Sequence, residues 1–104
     1  MEMRFHKIEE NFRLEIHVSG ECDMYNANDF FRQMAEQINN GYGYICVDFS
    51  GIRYLDSSGI GAMVKVIRYA QEKKTNITFR GISGMPRKVL KMSNILSLIR
   101  EETL

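Results

Sequence analysis

Cysteine occurs only twice in the 104 residues, as Cys22 and Cys46, and no C-x-x-C pair exists. A disulfide scaffold and a structural zinc site are therefore disfavoured, and two reduced, partly buried thiols are expected. The two histidines, His6 and His17, lie on alternating strand-like segments rather than at ligand spacing. Neither sign of charge dominates: Lys and Arg number 14, Asp and Glu 13, for a formal net charge of +1. That balance carries neither the basic footprint of a nucleic-acid binder nor a polybasic membrane signal. No apolar run approaches the roughly 20 residues that a spanning helix needs. The opening "MEMRFHKIEE" is charged and alternating, unlike a signal peptide. The expectation is a cytoplasmic protein without a cofactor, binding neither nucleic acid nor membrane, and monomeric when free.

Proline occurs once, and biased tracts, repeats and linkers are missing, which argues against disorder. What is present suits a soluble globular protein, with 44% hydrophobic and 26% charged residues. The length allows one domain, residues 1–104, with a core that needs no staple.

Met1, Met3 and Phe5 alternate with polar residues and predict a strand. After "EEN", Phe12, Leu14, Ile16 and Val18 point one way while Arg13, Glu15 and His17 point the other. This period of two predicts a half-buried strand and a hairpin. Gly20 in "SGECDMYNAND" is expected to break it. From Ala27 the spacing of Phe30, Phe31, Met34 and Ile38 predicts a helix, with Asn26 or Asn28 as cap and "NNGYG" as stop. "YICVDF" reads as a short buried central strand. Ile60, Met63, Val64 and Ile67 then follow helical spacing. "TNITFRG" predicts a strand with Ile77 and Phe79 inward. "SGMPRKVLKMSNILSLI" predicts one closing helix, or two hinged near Ser93 and Asn94, with Pro86 in the first turn. The order β-β-α-β-α-β-α places the chain in the α/β class: a mixed sheet of about four strands, at least partly parallel, with helices packed on it.

"LDSSGIGAMVKV", Leu55 to Val66, puts its most helix-hostile residues at the start of the best helix. The segment falls at the C-terminal edge of the sheet, where ligand and modification sites concentrate. Asp56 or Ser57 can cap the helix by accepting from an unpaired backbone N–H. Capping leaves Gly59 and Gly61 unexplained, since glycine costs about 0.8–1.0 kcal/mol against alanine inside a helix. With Ala62 they leave little bulk beside the two hydroxyls, which suggests a contact surface centred on the serines. On the residues alone, simple capping and a contact surface both stand.

Asp56-Ser57-Ser58-Gly59-Ile60-Gly61 resembles the D-S-[ST]-G-[LI]-G signature of STAS domains, in particular the single-domain anti-sigma factor antagonists of bacteria. "SGECDMYNA" resembles the family's G-E-x-D segment, "VDFSGIRYLDSSG" its central strand and loop, and "GISGMPRKVLKMSNILSLI" its closing segment. The resemblance implies a STAS-like single domain acting as a protein switch and not as an enzyme. It implies that the unphosphorylated form binds an anti-sigma factor with serine kinase activity and so frees a sigma factor. It further implies phosphorylation at Ser57, the serine directly after the aspartate, and resetting by a metal-dependent serine phosphatase. Ser58 is a lesser acceptor that supports the turn. The implied partner surface comprises Asp23, Met24, Tyr25 and Asn26, together with Asp56, Ser57, Ser58, Gly59, Ile60 and Gly61.

Cys22 stands where the family carries an aliphatic residue, and a small buried hydrophobe is expected there. Met24 and Met63 are either core filler or exposed, adaptable contacts. A second reading is a STAS scaffold or regulatory subunit in a stress-signalling or lipid-transport assembly. A serine hydrolase is disfavoured, because Ser57 lacks a G-x-S-x-G context and neither histidine has an evident route to it. No phosphate-cradling loop with lysine is present.

Overall fold

Two stretches of strict alternation and one continuous apolar run organise the centre of the molecule. In a computed structural model, which describes residues 1–8 and 12–102, they pair as β1 (Glu2–Ile8), β2 (Arg13–Cys22) and β3 (Tyr44–Leu55). β4 (Asn76–Arg80) completes a four-stranded sheet in the order β1-β2-β3-β4. β1 runs antiparallel to β2, while β2–β3 and β3–β4 are parallel, so the sheet is mixed. The turn expected at Glu9–Asn11 lies outside the described residues.

The crossovers are the helices α1 (Ala27–Asn39) and α2 (Ser57–Glu72), which pack on each other, while α3 (Gly84–Met92) packs on β3. One apolar cluster joins them to Leu14, Ile16 and Val18 of β2, Ile45, Val47 and Phe49 of β3, and Ile77 and Phe79 of β4. Phe49 stands at its middle, edge-on to Phe30 at 6.4 Å and to Phe79 at 5.4 Å. Each buried phenyl contributes about 1.5–3 kcal/mol by leaving water. Cys22 and Cys46 are free thiols, and both are fully buried rather than partly so.

Four local expectations are corrected. Phe12 does not share the inward face of β2: it is 75% exposed with φ 49°, because it precedes the first paired residue and turns out of the pleat. Gly20 does not end the strand. Its φ of 97° and the register shifts on either side form bulges that let β2 run on to Cys22. β3 likewise continues six residues past Phe49, burying Ile52 and Leu55. On α2 the buried stripe is Gly59, Ala62, Met63, Val66 and Ala70, while Ile60 and Ile67 are only partly buried. Met63 is therefore core, not an exposed contact.

The opposite face of the sheet carries a polar lattice. Arg80 bridges Glu15 and Asp48 at 3.1 Å each, and Arg13 reaches Glu102 at 2.7 Å. Glu102 also accepts from the hydroxyls of Tyr44 and Thr78, both at 2.9 Å. Its backbone N–H donates to the Phe79 carbonyl, while the Phe79 N–H donates to that of Arg100. Residues 100–102 thus form a strap over the free edge of β4, which would otherwise offer unpaired backbone groups to another chain.

Candidate functional site

At the C-terminal end of the sheet β2 and β3 finish side by side, with Cys22 opposite Leu55. The two loops that follow are therefore held together from their first residues. The Asp56 N–H donates to the Cys22 carbonyl at 3.3 Å. Asp56 is extended (φ −110°, ψ −175°), which turns its carboxylate back over the start of α2. Oδ1 accepts from the N–H groups of Ser58 and Gly59 at 2.9 and 3.1 Å. Oδ2 accepts from the N–H of Met24 at 3.2 Å. One carboxylate thus caps the helix and ties down the neighbouring loop.

That neighbouring loop is built in the same manner. Asp23 Oδ1 accepts from the Tyr25 N–H at 2.9 Å. Asn26 accepts from the Asp23 N–H at 3.0 Å through Oδ1 and donates to the Glu21 carbonyl at 2.8 Å through Nδ2. Asn26 precedes α1, but its side chain organises the loop and makes no cap bond to the helix. With their backbones held in this way, Met24 and Tyr25 stand 67% and 88% exposed.

Of the two cap candidates read from the sequence, the structure selects Asp56. The Ser57 hydroxyl is left free: among the described residues neither it nor that of Ser58 enters a hydrogen bond, and both residues are exposed. The first turn of α2 carries no acidic and no basic side chain of its own.

The glycines separate. A Cβ on Gly59 would lie 2.4 Å from the Cys22 carbonyl oxygen and 2.7 Å from Leu55 Cδ1, so that glycine is an interior necessity. This corrects its reading as part of an exposed small-residue surface. A Cβ on Gly61 would meet nothing within 4 Å, and Gly61 alone keeps the surface role. Burial holds the Cys22 thiol beneath this turn up at about 11, with Asp56 and Asp23 adding to the shift.

The structure brings Asp23, Met24, Tyr25 and Asn26 beside Asp56, Ser57, Ser58 and Gly61, with Ile60 half-buried below them. It also adds residues that spacing did not single out. A cleft of about 250 Å³ between α1 and α2 runs from Met24 past Ser58 and Gly61 to Phe31 and Lys65. Lys65 Nζ sits 5.9 Å from the centre of the Phe31 ring, within cation–π range. The sequence holds one signal for this, since Ser58, Gly61 and Lys65 recur at helical spacing.

A family model for the STAS domain matches residues 5–103. The chain belongs to the STAS-domain family. As a STAS domain it is similar to an anti-sigma-B factor antagonist of Staphylococcus epidermidis, 21% identical over 85 residues that cover 82% of this chain and 79% of that protein. Its fold matches the unphosphorylated anti-sigma factor antagonist SpoIIAA with a TM-score of 0.77 and 19% identity, over 98% of this chain and 89% of that one. It also matches the phosphorylated form of SpoIIAA, a Bacillus cell fate determinant, with a TM-score of 0.70 and 19% identity, over 98% and 92% of the two chains. At these identities the solved structures establish the α/β STAS fold.

Proposed function

We propose that residues 1–104 are one STAS domain acting as a phosphorylation-regulated anti-sigma factor antagonist. Its unphosphorylated form binds an anti-sigma factor with serine kinase activity and frees a sigma factor. Phosphorylation of Ser57 abolishes that binding, and a metal-dependent serine phosphatase restores it. The domain performs no catalysis itself. The observation that carries the reading is the division of labour at the start of α2: Asp56 takes the cap, which leaves the Ser57 hydroxyl exposed beside Met24 and Tyr25. The relatives' names support an anti-sigma factor as the partner, and the two phosphorylation states of SpoIIAA support regulation by phosphate.

The physics of the switch follows from the site. A phosphate adds about −1.5 to −2 charges and three acceptor oxygens. The positive end of the α2 dipole tolerates it there. The first turn of α2 has no basic side chain to pair with it, so a docked partner has to desolvate the added charge. Reversing occupancy from 99:1 to 1:99 takes about 5.5 kcal/mol, and desolvating an unpaired charge supplies several of those.

Co-expression with a kinase-type anti-sigma factor from the same genome tests the reading. The Ser57→Ala chain is expected to co-purify with that partner and the Ser57→Glu chain to be released. Equal retention of both variants would overturn the switch.

A further inference from the structure

A second surface lies on α2 away from Ser57. Ile67, Gln71 and Leu98 line two adjoining cavities, one of about 190 Å³ that also touches Val64 and one of about 70 Å³ floored by Ile77 and Phe79 of β4. Leu98, on the turn before the strap, is 57% exposed above them. Arg68 and Arg100 stand at the rim, both exposed. Among the described residues neither guanidinium enters a salt bridge, although Glu72 lies one helical turn beyond Arg68.

We propose that this groove is a docking site for an apolar, acidic segment of a protein partner, separate from the Ser57 edge. An apolar side chain fills the groove between α2 and Leu98, and its flanking carboxylates pair with Arg68 and Arg100. Size favours a side chain, because small-molecule pockets run to about 300–1,000 Å³ and these cavities fall below that. Charge argues against a second copy of the chain, since a two-fold contact through this patch would bring arginines together. Strand addition is blocked, as the strap already occupies the β4 edge. Planar guanidinium forks match carboxylates in pairs, which leaves acidic side chains as the complement. The groove begins at Val64, seven residues along α2 from Ser57, about 10 Å at 1.5 Å per residue. A partner seated there stays bound in either state of the serine.

Selection of short random peptides by display on the full chain carrying Ser57→Glu tests the site, with binders mapped by backbone amide shifts. The expected binders pair Leu or Phe with Asp or Glu and shift Val64, Ile67, Gln71 and Leu98. They bind the Arg68→Glu/Arg100→Glu double variant at least about tenfold more weakly. They bind the unmodified Ser57 chain equally well. Arg68→Glu alone, on the solvent side of α2, gives the same direction should the double variant melt early. Failure to enrich acidic, apolar peptides would overturn the proposal. So would binders indifferent to the arginine changes, or binders that shift Met24 and Gly61 instead.

Discussion

Gly59 and Gly61 sit two residues apart and meet opposite fates when given a methyl group. At Gly59 the new Cβ drives into the Cys22 carbonyl oxygen, a backbone atom that cannot step aside. Gly59→Ala is expected to cost about 1–3 kcal/mol in urea unfolding, the range of overpacked cores. At Gly61 the space is open, so alanine adds helix propensity and raises stability by up to about 1 kcal/mol. If Gly61 faces a partner, that same alanine weakens docking while stabilising the fold. The sequence held both glycines but not this difference, because Gly59 is fixed by a carbonyl 37 positions earlier in the chain. Asp56 was legible as one of two caps, and the fold chose it over Ser57 and added its hold on Met24. Asp56→Ala removes three accepted hydrogen bonds, two at the cap and one from Met24. It is expected to cost about 0.5–2 kcal/mol and to speed amide exchange at Met24 as well as in the first turn of α2. Exchange unchanged at Met24 would mean that the carboxylate does not tie the two loops.

At the scale of elements, local pattern predicted the order and type of β1 to β4 and of α1 to α3, and long-range pairing decided their extents. The closing segment, left open between one helix and two, ends α3 at Met92 and follows it with a short 3-10 turn at Leu96–Leu98. β2 runs through Gly20 because bulges absorb the mismatch against β3, which no local pattern displays. The buried stripe of α2 includes Gly59, Ala62 and Ala70, residues too small to score as a hydrophobic face. The C-terminal strap was also illegible, since Glu102 finds Arg13, Tyr44 and Thr78 only after the sheet is assembled. The hydrogen bond from Arg13, with those from Tyr44 and Thr78, holds the Glu102 carboxyl at about 2, below its ordinary 4.5. A carboxyl depressed by folding stabilises the native state above its unfolded value, and that contribution is lost as pH falls through the folded one. Between roughly pH 4.5 and 2 the strap is therefore expected to loosen, seen as a falling protection factor of the Phe79 amide relative to its intrinsic exchange rate at each pH. Glu102→Gln is expected to flatten that pH dependence. A profile unchanged by Glu102→Gln would remove the carboxylate from the account.

For the whole molecule, the proposed switch would separate stability from recognition. Ser57 lies outside the core, its hydroxyl holds nothing, and the cap belongs to Asp56. Ser57→Ala is expected to change unfolding free energy by less than about 0.5 kcal/mol, as for surface positions without special contacts. Phosphorylated protein is likewise expected to keep its circular dichroism spectrum and its cooperative melt. A phosphoprotein that loses its native spectrum would replace a docking switch with an unfolding switch.

Phosphosite mapping by fragmentation mass spectrometry, on protein isolated from its native host across growth and stress conditions, decides whether Ser57 carries the switch. Phosphate on Ser57 is expected, with occupancy that changes between conditions. Full recovery of the Leu55–Lys65 region with no phosphate on Ser57 under any condition would contradict the switch.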